Sequence, residues 1–493
     1  MALALSTGLM LRRPDVTRNA AFLFSNDEAA NLFVADRRHR GQLLYSEVAF
    51  QYGPVSIELY TRISAALGNT PTVFLITMAV LSAISVGLVA WLIRRSADAA
   101  TALACVVVGL LPTMPLPGAS VGGYASSIYM PLERLLLIAG VILWMSPAPR
   151  PWWRSVAIGA VLGLCQGIRF GSGAVMLASI VLIDLGAWAL TVKPASARAL
   201  RASALVAAGF FIVEGMWALW AWHALPRSFA LEFLWPLHML ETHRDTGAPR
   251  WPSAIGWRAA ATQYLMPLLG AALGFAGLAR WVRIPAAART REWNAQGSAL
   301  ALLVFFLLAS LFYFRHEHHF RQFAWTLVPA AAAVVASFDR PRRLALLVMC
   351  LPAVWPVASA LARRPSPDVV RLDVPRGYSM FVPPTVAERV AFLERYRGIG
   401  PVMFVPDGAG WLYAYGIDHV TRHVLFYSRA VVRPFEEERF VRDAARAAAV
   451  IRCEDASRPW PLPVSAVAMI TERFRPAASG AGCTVWMPSR TTD

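Results

Sequence analysis

Charge is scarce in this sequence. Of its 493 residues only 16% are Asp, Glu, Lys or Arg, while 57% are hydrophobic and the mean hydropathy is +0.48. A soluble chain carries roughly a quarter charged residues, so the shortage excludes a soluble protein with a large core and points to an integral membrane protein. Acid is scarcer than base: 30 Asp and Glu stand against 47 Lys and Arg, a formal net charge of +17. No long basic stripe interleaved with stacking aromatics occurs, which argues against nucleic acid as a partner. The arginines sit between apolar runs, where membrane lipids with anionic head groups are the expected partners. There is no Walker loop, no G-x-G-x-x-G after a strand and no G-x-S-x-G elbow, so a nucleotide donor is unsupported. Low-complexity runs and solenoid repeats are absent. Cysteines number five. Cys105, Cys165 and Cys350 lie in apolar runs as small hydrophobes. Cys453 and Cys483 stand alone in the last quarter, a candidate disulfide wherever the compartment is oxidising.

What is present is a series of apolar runs at 71–93, 99–115, 128–144, 156–168, 172–192, 202–223, 259–282, 298–314, 323–338 and 344–361. The run at 156–168 is the weakest. The opening run, 1–11, supplies about half of the ~20 residues a spanning helix needs. It precedes its arginines, the reverse of a secretory signal, and reads as a truncated first membrane helix followed by a linker to residue 23. The expected fold is a polytopic α-helical membrane protein of about eleven spans. Arginines recur in every second connection, which makes those connections cytoplasmic. The stretches 24–68, 116–127, the turn at Arg169, 225–256 and 315–321 are then external. The transmembrane domain is expected over 69–361, a linker over 362–384 and an external α/β domain over 385–493. In that domain 401–405, 449–452 and 483–487 read as strands and 385–397, 436–448 and 464–474 as helices.

The first external loop, 24–68, concentrates the chemistry. It opens on the adjacent acids Asp27 and Glu28, continues through the basic cluster Arg37, Arg38, His39 and Arg40, and turns at Gln51-Tyr52-Gly53-Pro54. Helices are expected over 28–38 and from Pro54 onward, lying along the membrane surface with their apolar faces down. The plain reading of Asp27 and Glu28 is a pair of solvated acids at a helix N-terminus. A second dense site is the external turn Phe314-Arg315-His316-Glu317-His318-His319-Phe320-Arg321. Arg315, His318, His319 and Arg321 suit a phosphate, arginine by a bidentate fork. H-E-H-H is not the zinc spacing H-E-x-x-H, and no cysteine lies nearby; metal binding and a polar turn at the interface stay open beside phosphate. Arg169, isolated between two apolar runs, is expected either to contact phosphate or to pair with an acid. Glu133 and Glu214, inside apolar runs, are expected to face the protein interior. His238, in the long external loop, is a candidate acceptor contact or a solvated residue.

These features together resemble the GT-C class of membrane glycosyltransferases, whose donors are polyprenyl-phosphate sugars. The resemblance is carried by the early acidic pair Asp27-Glu28, by Gly41-Gln42-Leu43-Leu44-Tyr45, and by Tyr52-Gly53-Pro54 opening a helix. Many spans follow, then the Arg/His turn before the helix that contains Pro329, and Pro406-Asp407 through Leu412-Tyr413 in the tail. It implies a sugar transferred from a polyprenyl phosphate on the external face of the cell membrane, with inversion. Asp27 is the implied general base, and Glu28 assists or holds a divalent cation. Arg315, His318, His319, Arg321 and Arg169 face the donor phosphate, and Tyr45, Tyr52 and His238 line the substrate loop. No other cofactor is implied. A surface-polysaccharide ligase or polymerase built on residues 315–321, and a transporter of lipid-linked substrates, are the alternatives.

Overall fold

The computed structural model describes residues 27–50, 52–95, 97–106, 128–145, 151–190, 194–234, 272, 300–309, 323, 325–336, 338–349, 370–424, 426, 431–453 and 459–489. The stretch 24–68 contains the two expected helices, α1 (Asp27–His39) and α2 (Pro54–Leu67). The membrane part follows as α3 (Pro71–Arg94), α4 (Ala99–Cys105), α5 (Tyr129–Trp144), α6 (Trp152–Gln166), α7 (Ser172–Leu190), α8 (Pro194–Ala224), α9 (Arg227–Leu234), α10 (Leu300–Ala309), α11 (Leu327–Ala336) and α12 (Arg340–Met349). Among the described residues two helices are long and apolar enough to cross a membrane, α3 and the Leu200–Ala224 part of α8. The expected run at 1–11, that at 259–282 except residue 272, and parts of those at 99–115, 172–192, 298–314, 323–338 and 344–361 lie outside the described residues. At the arginine-rich end of the helices, Trp152 and Trp153 are exposed beside Arg154, and Arg95 lies 5.1 Å over the Trp91 ring. Amphipathic rings beside arginines belong to a membrane interface.

The run with the poorest hydropathy, α6, is held by close packing instead. A methyl group on Gly159 would come 1.9 Å from the Val206 carbonyl oxygen of α8, and one on Gly209 would come 2.1 Å from the Val156 carbonyl oxygen. Backbones that approach this closely need small residues at the contact. The glycines that weaken the hydropathy signal are the ones that let α6 and α8 touch.

The tail carries a four-stranded sheet in the order β3-β4-β6-β5, with β3 (Val402–Val405) parallel to β4 (Ala449–Arg452) and the other pairs antiparallel. The crossover from β3 to β4 passes through α14 (Ala409–Tyr415) and α15 (Glu437–Ala444); α13 (Pro384–Glu394) precedes β3. All eight residues of β3 and β4 are buried, as a strand covered on both faces requires. After α16 (Val464–Arg473), β5 (Phe474–Gly480) and β6 (Cys483–Pro488) form a hairpin. Arg452 pairs with Thr484 across β4 and β6, so Cys453 and Cys483 sit side by side, with Cα atoms 4.0 Å apart and a disulfide between them.

Two expectations are corrected. The stretch 362–384 is not simply a linker: β1 (Val370–Val374) and β2 (Tyr378–Val382) pair there as an antiparallel hairpin. Its first strand alternates Arg371 and Asp373 with apolar residues, a half-exposed pattern that charge disguises. Helix α1 does not lie apolar face down on lipid. Ala29, Leu32, Phe33, Val34 and Ala35 are all buried in protein, because α14 of the tail packs over α1 while α2 and α3 pack beneath. Apolar residues on every side of a helix require covering on every side.

Candidate functional site

The loop between α1 and α2 is folded tightly enough to fix its tyrosines. Tyr45 adopts φ +68°, uncommon for a residue with a side chain. Its amide donates to the Val48 carbonyl at 2.7 Å, and the Leu43 amide donates to the Glu47 carboxylate at 2.6 Å. The Tyr45 ring is buried, edge-on to Trp220, and its hydroxyl donates to the Tyr52 carbonyl at 2.7 Å. Burial, helped by the nearby Glu58 charge, pushes the Tyr45 phenol well above its usual pKa, so it remains a donor.

Tyr52-Gly53-Pro54 then docks backbone to backbone on the turn after α6. The Gly53 amide donates to the Ile168 carbonyl at 2.9 Å and the Val55 amide to Gly167 at 3.1 Å. A methyl on Gly53 would lie 2.0 Å from the Gly167 oxygen, which is why glycine stands there. The Tyr52 and Tyr129 ring centroids are 3.8 Å apart.

Behind this pair lies a buried charged cluster. The Arg169 guanidinium is 5.7 Å from the Tyr129 ring and 5.3 Å from the Phe323 ring, and its Nη1 is 3.8 Å from Glu133 Oε2. Ser172 donates its hydroxyl to Glu133 Oε1. The Arg134 guanidinium lies 5.7 Å from the Trp325 ring. Glu133 is 2% exposed, Arg169 5% and Arg134 6%. Buried charge at membrane depth is expensive unless it pairs or serves a ligand. The described part of the cluster brings together two guanidinium groups and one carboxylate, flanked by aromatic faces. Arg169 therefore pairs with an acid, one of its two expected roles. Glu214 is only half-buried, unlike the enclosed Glu133.

The basic cluster of α1 meets protein rather than lipid. Arg38 pairs with Glu58 of α2 at 2.8 Å. Arg37 and Arg40 reach Asp418 of the tail at 3.3 and 2.8 Å, and Arg376 of the β1–β2 turn reaches Asp36 at 2.8 Å. Arg37 also donates to the His419 carbonyl at 3.3 Å. Burial lowers the Arg37 pKa, against the pull of Asp418. Asp27 is the first residue of this helix. The side chains of Asp27 and Glu28 lie outside the described residues, as do Arg315, His318, His319, Arg321 and His238. Among the described residues no three His, Cys, Asp or Glu side chains gather as a metal site.

A second tail contact reaches the tyrosine loop. Arg422 donates through Nε and Nη2 to the two oxygens of Glu436, the latter at 2.6 Å, and through Nη1 to the Tyr45 carbonyl. His423 shares Glu436 at 2.9 Å.

Tyr45 and Tyr52, expected in the substrate loop, and Arg169, expected at a phosphate or an acid, lie in one contiguous set. Tyr129, Arg134, Ser172 and Arg422 adjoin this set without having been expected there. Arg134, beside Glu133 inside an apolar run, was the available signal.

The fold of the whole chain matches two crystal structures of ArnT from Cupriavidus metallidurans. The one bound to undecaprenyl phosphate aligns with a TM-score of 0.51 and 12% identity over 99% of this chain and 97% of that one. The apo structure aligns with a TM-score of 0.52 and 13% identity over 98% and 97%. This is the GT-C fold that the sequence resembles. No protein-family model and no curated sequence matches the chain.

Proposed function

We propose that the protein is an integral membrane glycosyltransferase that moves a sugar from a polyprenyl-phosphate donor to an acceptor at the external membrane face. The buried Arg169–Glu133–Arg134 cluster beneath the Tyr52–Tyr129 pair carries the reading. It sets two buried guanidinium groups behind the loop between α1 and α2, in a fold that follows a structure bound to undecaprenyl phosphate. Arginine and histidine are the cationic side chains offered to the phosphate, because Lys193 is the only lysine in the sequence and falls in a connection expected on the cytoplasmic side. Arg315, His318, His319 and Arg321 are assigned to the same phosphate.

In the proposed step the Asp27 carboxylate takes the proton of the acceptor hydroxyl. The acceptor oxygen forms a bond to the anomeric carbon from the face opposite the phosphate. The bond from that carbon to the phosphate oxygen breaks, and polyprenyl phosphate leaves with the electron pair. One displacement inverts the anomeric centre. The arginines stabilise charge as it gathers on the leaving phosphate. Glu28 is assigned either to assist Asp27 or to hold a divalent ion, and adding metal back to chelator-treated protein separates the two.

The test supplies membranes carrying the protein with polyprenyl-phosphate sugars bearing a labelled sugar, together with lipid and polysaccharide acceptors. The reading expects the label to move to an acceptor while free polyprenyl phosphate accumulates. Label that moves only from a nucleotide sugar would overturn it.

A further inference from the structure

We infer that Arg422, in the C-terminal domain, is a positioning residue for the buried charged cluster, an inference that rests on the reading of that cluster as the donor-phosphate site. Arg422 touches no reacting group. It acts through the first external loop, which it holds from two directions. Its guanidinium donates to the Tyr45 carbonyl, and its own carbonyl accepts the Ala49 amide at 2.9 Å. The loop is thus clasped at both ends of the 45–49 turn.

The clasp is rigid because every nitrogen of the guanidinium is engaged. Two nitrogens, Nε and Nη2, face Glu436, a carboxylate buried to 4% exposure, in the bidentate geometry that only arginine offers. The third reaches Tyr45. The flat face lies 4.5 Å from the Phe229 ring of α9, and Phe229 is itself edge-on to Phe435, two residues after Arg433 in the tail. The helix α9, the 45–49 turn and the tail meet at this one side chain.

The consequence runs inward from Tyr45. Its left-handed backbone conformation is one that persists only where surrounding contacts impose it. With the backbone so held, the Tyr45 hydroxyl reaches the Tyr52 carbonyl, the Tyr52 ring lies on Tyr129, and Tyr129 presents its face to Arg169. A shift in the 45–49 turn therefore moves the wall of the cluster. Small displacements of positioning groups cost reactions far more than the lost contact alone suggests.

The experiment uses the full-length protein in lipid nanodiscs, as wild type, Arg422→Lys and Phe229→Leu. Lysine keeps the charge but cannot span Glu436 and Tyr45 together. Three quantities are read: amide hydrogen exchange across 43–55, exchange in β3 and β4 as a check on the tail, and KM for lipid donor and for acceptor. Arg422→Lys is expected to speed exchange of the 45–49 amides at least about tenfold with β3 and β4 still protected. Donor KM should rise by about ten- to a hundredfold with acceptor KM unchanged. Should lysine unfold the tail, Phe229→Leu removes only the ring beneath the guanidinium and is expected to produce the same pattern more weakly. Unchanged exchange at 45–49 in a folded variant, or donor and acceptor KM rising together, would overturn the inference. Absence of lipid-donor transfer in the wild type would sink the functional reading alone, and the exchange arm would still decide whether Arg422 holds the loop.

Discussion

Glu133 and Arg169 face each other at 3.8 Å, one on α5 and the other on the turn between α6 and α7, both almost wholly buried. Ser172 holds one carboxylate oxygen and aromatic rings flank the guanidinium, so the pair is built as a unit. Removing one member of such a pair leaves a buried charge uncompensated, at a cost of about 3–5 kcal/mol. Glu133→Ala is expected to lower the melting temperature of the detergent-solubilised protein by several degrees. Arg169→Gln, which removes the guanidinium charge, is expected to raise donor KM more than acceptor KM. Donor KM unchanged in Arg169→Gln would make the pair purely structural.

Orientation is the next test. The packing of α14 on α1 places the tail on the same side as the first loop, and the arginine-rich connections predict that this side lies outside the cytoplasm. A reporter that works only outside the cytoplasm, fused after Asp493, is expected to be active. Activity of a cytoplasmic reporter at that position would reverse the orientation and leave Asp27 in the wrong compartment.

Stability of the tail should fall in mild acid. The His419 ring is buried, accepts the Phe404 amide at Nε2 (3.0 Å) and meets the Thr421 carbonyl at Nδ1 (3.1 Å). Burial pushes its pKa down to about 4. The unfolded ring binds a proton near pH 6.5 and the folded ring resists until about 4. Stability is therefore complete above pH 6.5 and is lost as pH falls toward 4, by about 3 kcal/mol at most. Burial works to raise the Glu436 pKa, but His423 and Arg422 outweigh it and hold the carboxyl well below its usual range. That contribution is lost only as pH falls below 4.5. Thermal melts followed by tail tryptophan fluorescence should drop between pH 7 and 4.5, and His419→Gln should flatten the curve. A melting temperature constant over that range would contradict the burial of a neutral ring.

The Cys453–Cys483 bridge closes a loop with a sequence separation of 30. In the entropic account it constrains the unfolded tail by about 3–4 kcal/mol. Reduction should lower the unfolding transition of the tail and leave the membrane helices unaffected. Alkylation before and after reduction, read by mass spectrometry, checks the bridge itself; two thiols alkylated without reduction would exclude it.

Much of this architecture can be read from one-dimensional patterns, for physical reasons that also set the limit. Pro54 after Gly53 marks the start of α2 because proline suits a first helical turn. The apolar run 402–405 is a buried strand because parallel strands are covered on both faces. The β5 strand escapes such reading, since Phe474 to Gly480 contains Pro476, Ala477, Ala478 and Ser479 and resembles a loop. The covering of α1 escapes it too. Local sequence says that Leu32, Phe33 and Val34 must be buried, but lipid and a tail helix satisfy that demand equally well. The clasp between Arg422 and Tyr45 joins positions 377 apart in sequence, and no spacing rule connects them.

The central claim is that a carboxylate at the head of α1 takes the proton of the acceptor. The most direct measurement is the rate of sugar transfer from a polyprenyl-phosphate donor by Asp27→Asn, compared with wild type at equal amounts of inserted protein. Asparagine keeps the shape and removes the proton acceptor. The account predicts a loss of about two to four powers of ten in rate, with donor binding retained. Near-normal transfer by Asp27→Asn would contradict it and move the base elsewhere, with Glu28 the next to be replaced.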